Sequence, residues 1–139
     1  MTLKLQVTCW YAMLLLMKKK SLNGSNGFVR SRCPIACALD IIGDKWTLLV
    51  VRDLFAGKKI YSEFQLSFEN IPTNLLAERL KRLVEYDIVK KIAYQKRPVR
   101  YEYVLTVKGK ELGPVLESLV KWGEKNIPGS EAMMSRPQH

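Results

Sequence analysis

Apolar residues recur at helical spacing along most of this chain, change once to alternation, and then change back, and each change marks an element. Pro34 suits the first position of a helix that runs through Ala38, Leu39, Ile41 and Ile42 and stops at Gly43. Asp44 then fits the N-cap of a second helix, Lys45 to Phe55, where Trp46, Leu48, Leu49, Val50, Val51 and Leu54 leave little polar face. That helix is expected to be central and buried, with Gly57 closing it. Ser62 opens a short third helix with Phe64 and Leu66 facing inward, and the loop from Ser67 to Pro72 leads into a fourth, Thr73 to Tyr86. In the fourth, Leu76, Leu80, Leu83 and Val84 share the core face, while Asn74, Glu78, Lys81 and Glu85 lie opposite.

After Asp87 the period becomes two. Ile88, Ile92 and Tyr94, then Tyr101, Tyr103 and Leu105, predict two strands of a hairpin with one packed and one wet face, joined at the basic turn Gln95-Lys96-Arg97-Pro98-Val99-Arg100. Thr106 can cap a last helix whose stripe is Leu112, Val115, Leu116, Leu119 and Trp122, and Pro114 within it predicts a bend or a delayed start. So apolar a stripe at the edge of a small domain calls for a partner surface, usually the same stripe on a second subunit. Trp46 and Trp122 are assigned to core or dimer packing.

The third and fourth helices are joined tightly enough for a helix-turn-helix unit, and the hairpin stands as its wing, so the fold class is mainly α with a small β-hairpin wing, dimeric. Charge sharpens this picture. The 139 residues hold 23 Lys and Arg against 13 Asp and Glu, a net +10, and six of those charges fall between Thr73 and Lys110. A sequence pI near 9.7 favours a polyanionic partner. The fourth helix offers Thr73, Asn74, Glu78, Arg79, Lys81 and Arg82 to a DNA major groove, and Lys96, Arg97 and Arg100 at the wing tip suit phosphate contact, which positions without reading sequence. Asn74 has two open readings: a bidentate partner for adenine, or a helix cap. Arg79 and Arg82 have the ordinary alternative of a solvated cationic face.

Three cysteines, Cys9, Cys33 and Cys37, without framework spacing argue against a disulfide-stapled secreted fold and for a cytoplasmic one. The single histidine, His139, ends the chain, and no cluster of thiolates and carboxylates suggests a metal; no cofactor is expected. Paired acids in an apolar run and a phosphate-cradling glycine loop are both missing, so an enzyme is not indicated. The apolar run Cys9 to Met17 is too short to span a bilayer, and its Lys18-Lys19-Lys20 block follows it rather than preceding it as in a signal peptide, so no membrane association is expected. Residues 1–16 read equally as an upstream extension before a start at Met17 or as an apolar arm for a partner subunit. The expected division is an N-terminal extension and linker (1–30), a DNA-binding and dimerisation domain (31–127) and a disordered tail (128–139). The competing function is a non-specific nucleic-acid or anionic-surface binding module driven by charge alone.

The run Cys33-Pro34, then Ala38-Leu39-Asp40-Ile41-Ile42-Gly43-Asp44-Lys45-Trp46-Thr47-Leu48-Leu49, resembles the opening of the HxlR family of bacterial winged-helix regulators, relatives of the MarR group. Further matches follow in order: Tyr61-Ser62-Glu63-Phe64, Ile71 to Leu83, Pro98, Arg100, Glu102-Tyr103, Leu105-Thr106, Gly109 and Pro114-Val115-Leu116. The resemblance implies a homodimer on a palindromic operator, with Thr73 to Tyr86 as recognition helix, Lys96 to Arg100 as wing tip, and half-sites about 34 Å apart. It also implies that Cys33, at a helix N-terminus where the dipole lowers a thiol's pKa, can sense oxidants or electrophiles, with Cys37 as a second thiol; the plain alternative is a small residue that starts the helix. A small-molecule or electrophile inducer would act there. Asp87 stands where the family commonly has Gly, which predicts a different helix-to-wing angle, and residues 1–32 match nothing in the family pattern.

Overall fold

The structure, a computed structural model, describes residues 30–133. Residues 1–29 of the N-terminal extension expected over 1–30, Cys9 included, and the last six residues of the expected tail lie outside the described residues. Two compact units divide the chain, residues 1–37 and 38–139, and each is described by itself. Helix α1 (Pro34–Ile42) begins in the first. There, Arg30 donates to the Ala36 carbonyl at 3.4 Å, the Cys33 amide donates to Ser31 Oγ at 3.1 Å, and Cys37 Sγ donates to the Ser31 carbonyl at 3.2 Å.

The second unit holds the end of α1 and then α2 (Thr47–Phe55), α3 (Tyr61–Gln65), α4 (Thr73–Glu85), strands β1 (Val89–Lys96) and β2 (Val99–Leu105), α5 (Val107–Lys110) and α6 (Gly113–Asn126). Its core is Val50, Val51 and Leu54 of α2, Phe64 of α3, Leu76, Leu80 and Leu83 of α4, and Ile88 with Val89. Helix α2 is central, as its apolar run demands. It starts at Thr47 rather than Lys45, because Asp44 forms a tight turn: its carboxylate accepts the amides of Trp46 (2.9 Å) and Thr47 (3.1 Å) and the Thr47 hydroxyl. The capping role therefore holds while the helix begins two residues later. Gly57, at φ +97°, ends it in the left-handed conformation that favours glycine.

Helix α3 is a single turn. Glu63 accepts the amides of Lys59 (2.7 Å) and Ile60 (3.2 Å), satisfying two donors at its start. Phe64 is buried as expected, but Leu66 is 74% exposed, because the helix has already ended and residue 66 points away from the core. The three leucines of α4 at spacings of four and three residues are all buried, and the tyrosine after it, Tyr86, caps its C-terminus.

The turn into the hairpin resets its faces. Asp87 takes φ +58°, the Ile88 amide donates to the Leu83 carbonyl at 2.9 Å, and the Ile88 carbonyl accepts from Thr106, so Ile88 is buried before the strand begins. Val89, paired with Leu105, then faces the core. The expected inward set fails for Ile92, Tyr94 and Tyr101, all exposed. Ile92 opposes Glu102 on the face away from Tyr101 and Tyr103, and Tyr94 is the extra residue of a bulge between the pairs Ala93–Tyr101 and Gln95–Arg100. Only the base of the hairpin packs: Tyr103 meets Phe64 edge to face at 6.4 Å between ring centres, and its amide donates to the Lys59 carbonyl at 2.7 Å.

Thr106 caps α5 instead of one long last helix, its hydroxyl accepting the Gly109 amide at 3.0 Å, and α6 restarts at Gly113 with Pro114 in its first turn. The delayed start predicted from Pro114 is thus the form taken. Leu112 and Leu116 pack against the core, whereas Val115, Leu119, Val120 and Trp122 are exposed. Among the described residues, no helix is long and apolar enough to cross a membrane.

Candidate nucleic-acid interface

Burial of Leu76, Leu80 and Leu83 rotates α4 so that Thr73, Asn74, Glu78, Lys81 and Glu85 stand in solvent. The N-terminus of the helix is braced, since the Tyr61 hydroxyl donates to the Thr73 carbonyl at 2.6 Å. Thr73 and Asn74 therefore open a fixed polar edge. No capping bond from Asn74 occurs: the residue at the cap is Pro72.

Arg79 and Arg82 are placed differently from the other polar residues of α4. Each lies three residues from its predecessor in the series 76, 79, 82, on the border between core and solvent faces. Arg79 Nε donates to Asp44 Oδ1 at 2.9 Å and Nη1 to Glu78 at 2.8 Å, with only 14% of its side chain exposed. Arg82 donates to the Asp40 carbonyl and lies over the Tyr86 ring, 5.8 Å from its centre. Burial opposes ionisation of Asp44, but the Thr47 hydroxyl, the Trp46 amide and the Arg79 guanidinium outweigh it and hold the carboxyl at about 2. For Arg79, burial likewise opposes the charge and the bond to Asp44 prevails, so its pKa is raised.

Beneath the turn between α3 and α4 lies a polar cluster that the sequence did not announce. Lys58, Asp53 and Ser67 are all buried: Lys58 Nζ donates to Ser67 Oγ at 2.8 Å and stands 3.4 Å from Asp53 Oδ2, and Ser67 donates to the same carboxylate. Arg52 reaches Asp53 Oδ1 through Nε (3.1 Å) and Nη2 (3.0 Å), and it grips both oxygens of Glu69 at 2.7 and 2.8 Å. That two-pronged grip holds the Glu69 carboxyl below its ordinary range. The path of residues 67–72, and so the start of α4, is fixed from below. The signals available were the adjacent Arg52 and Asp53 in a mostly apolar helix and a Lys just past Gly57, but the partners come from three separate segments.

The wing carries Lys96, Arg97 and Arg100 at its tip, all exposed, with Arg97 and Pro98 making the turn. Gln95 Nε2 donates to the Arg97 carbonyl at 3.2 Å, tying the tip to its own strand. Lys91 lies 4.3 Å from the centre of the Tyr101 ring, a cation held over an aromatic face below that tip. In the first unit, Cys33 is exposed and Cys37 half-buried, both as free thiols. Among the described residues no group of His, Cys, Asp and Glu could hold a metal ion.

Comparison with known proteins agrees with this arrangement. The model of the HxlR-like helix-turn-helix family matches residues 41–131. The HTH-type transcriptional regulator YvaP of Bacillus subtilis is 39% identical over 93 residues, covering 67% of this chain and 86% of that protein. The regulator Rv3095 of Mycobacterium tuberculosis is 32% identical over 102 residues, which is 73% of this chain and 64% of the mycobacterial protein. Among solved structures, the redox regulator HypR in its oxidised form is similar at 34% identity and a TM-score of 0.62, over 68% of this chain and 97% of that one. The reduced form of the regulator YodB from B. subtilis follows at 30% identity and 0.59, over 71% and 98%.

Proposed function

The chain belongs to the HxlR-like helix-turn-helix family, and from that premise we propose that it is a cytoplasmic transcriptional regulator that binds duplex DNA at a specific sequence as a homodimer. One observation carries the reading. Three buried leucines turn the polar edge of α4 outward, and the same chain continues into a protruding hairpin tipped with cations. A helix of this width fits the major groove, where Asn74 can pair with adenine and Thr73, Glu78 and Lys81 face neighbouring bases or phosphates. Arg79 and Arg82 stand at the border of that surface. Lys96, Arg97 and Arg100 would hold the flanking backbone.

The exposed apolar residues of α6 support the second copy, which would place two recognition helices about 34 Å apart on a palindromic site. Residues 31–127 would form the DNA-binding and dimerisation domain, with 1–30 and 128–139 as extensions. Similarity to HypR and YodB, together with an exposed Cys33, supports thiol control. Two thiols, Cys33 and either Cys37 or Cys33 of the second copy, would join as a disulfide while the oxidant takes up both hydrogens.

Selection of duplexes from a random library by the full chain, followed by gel shift, tests the central reading. A recovered inverted repeat that outcompetes random duplex by about a thousandfold or more is expected of a specific regulator. Equal affinity for any polyanion would replace it with the charge-driven module. Diamide should change the affinity of the unaltered chain and leave Cys33→Ser unaffected; an equal response in both removes Cys33 from the switch.

A further inference from the structure

We infer that Arg79 and Arg82, the two arginines of the recognition helix, are positioning residues that anchor α4 to the segment Asp40–Asp44 rather than residues that touch DNA. The inference rests on the proposed DNA-binding reading and assigns the work within its surface. In sequence these arginines belong to the groove-facing set of the helix, with a solvated cationic face as the alternative. In the structure each arginine already has a donor engaged on that one segment. Arg79 uses Nε on Asp44 and Nη1 on Glu78, and Arg82 donates to the carbonyl of Asp40, four residues before Asp44.

Asp44 makes this segment rigid. The same carboxylate that receives Arg79 also receives two amides and a hydroxyl from the first turn of α2, so it is fixed before the arginine arrives. An anchor of this kind bears on specificity, because bidentate base contacts fail when a helix is displaced by a fraction of its own groove depth. A guanidinium committed to an internal acceptor, the Asp44 carboxylate for Arg79 and the Asp40 carbonyl for Arg82, is also held back from phosphate, and so releases no counterion when DNA binds. Lys81 is the contrasting residue. It occupies the same helix, is exposed, and is held by no ion pair among the described residues.

This difference has a measurable signature. On the duplex recovered by selection with the full chain, affinity is measured across a salt series for Lys81→Met, Arg79→Met, Arg82→Met and Asp44→Ser. Serine at 44 keeps an oxygen for the α2 amides and removes the anion that Arg79 needs, together with the oxygen that receives the Thr47 hydroxyl. Lys81→Met should lower the slope of log affinity against log salt by about one. Arg79→Met, Arg82→Met and Asp44→Ser should leave that slope unchanged while lowering operator affinity about tenfold, the effect of losing one charge-assisted bond, and lowering random-duplex affinity little. The ratio of operator to random binding, which simple loss of folded protein would not change, therefore falls in three variants that keep every lysine.

A slope reduced by Arg79→Met or Arg82→Met as much as by Lys81→Met overturns the assignment and makes that arginine a phosphate contact. Full operator affinity in Asp44→Ser overturns the anchor. If no duplex is selected by the unaltered chain, the failure lies in the DNA-binding reading and not in the anchor. In that case the anchor stands or falls on a double-mutant cycle of folding stability, where additive effects of Asp44→Ser and Arg79→Met refute it.

Discussion

Replacing Lys58 by methionine tests whether the buried polar cluster holds the turn before α4. Lys58 is 3% exposed, and methionine fills most of its volume, so the change removes chiefly the ammonium. Ser67 then loses a donor at 2.8 Å and Asp53 Oδ2 a cation at 3.4 Å, leaving that oxygen with the serine alone. Breaking a buried pair costs about 3–5 kcal/mol when nothing remains for the surviving ion. Arg52 still donates twice to Asp53 Oδ1, so the loss expected here is smaller, about 2–3 kcal/mol. The assay is urea unfolding followed by circular dichroism at fixed protein concentration, because association would otherwise shift the midpoint. Lys58→Met and Asp53→Asn should couple by more than about 1 kcal/mol in a double-mutant cycle. A loss under about 1 kcal/mol for Lys58→Met, or strict additivity, refutes the reasoning.

Three further outcomes are expected. Asp44 is held at about 2 against an ordinary 3.8, so its folded value lies below its unfolded one; the stability it adds is present above about pH 4 and is lost as pH falls towards 2. The stability gap between the unaltered chain and Asp44→Ser should therefore be flat from pH 7 to 4 and shrink below that, and a gap that widens on acidification would contradict the assignment. Gly109→Ala should cost about 3 kcal/mol or prevent folding, since a Cβ there would lie 2.1 Å from the Ile88 carbonyl oxygen and 3.0 Å from a Leu105 methyl; a melting temperature within a degree of the parent's would refute this. Leu119→Glu, on the exposed face of α6, should turn a dimer into a folded monomer in sedimentation, and an unchanged mass would move the interface elsewhere.

Helix α4 was legible because its leucines repeat at one period and nothing else competes for that face. The end of α2 was legible for a similar reason, Gly57 being the residue that a left-handed turn prefers. Leu66 was misplaced because a five-residue helix ends before a period can be established, and the last residue of an apolar pattern need not reach the core. The inward set of the hairpin went astray at both ends: Asp87 at φ +58° shifted the count at the start, and the bulge at Tyr94 shifted it again near the tip. Arg79 and Arg82 were read in sequence as part of the groove-facing set, and the structure places them at its border. That they are tied to Asp44 and Asp40 was not legible, because those partners are 35 and 42 residues away in sequence.

The bulge absorbs the surplus residue at Tyr94 without moving the finger's charge. Because pairing slips by one there, Lys96 lies opposite Val99 and so shares a side with Lys91 and Tyr101, while Gln95 and Arg100 share the other with Lys90. Excising Tyr94 would restore an unbroken ladder with Gln95 still opposite Arg100 and Lys96 still opposite Val99, so every cation keeps its side and only the extra twist of the bulge is lost. A lineage could thus change the curl of the finger by gaining or losing a single codon while its cations keep their sides.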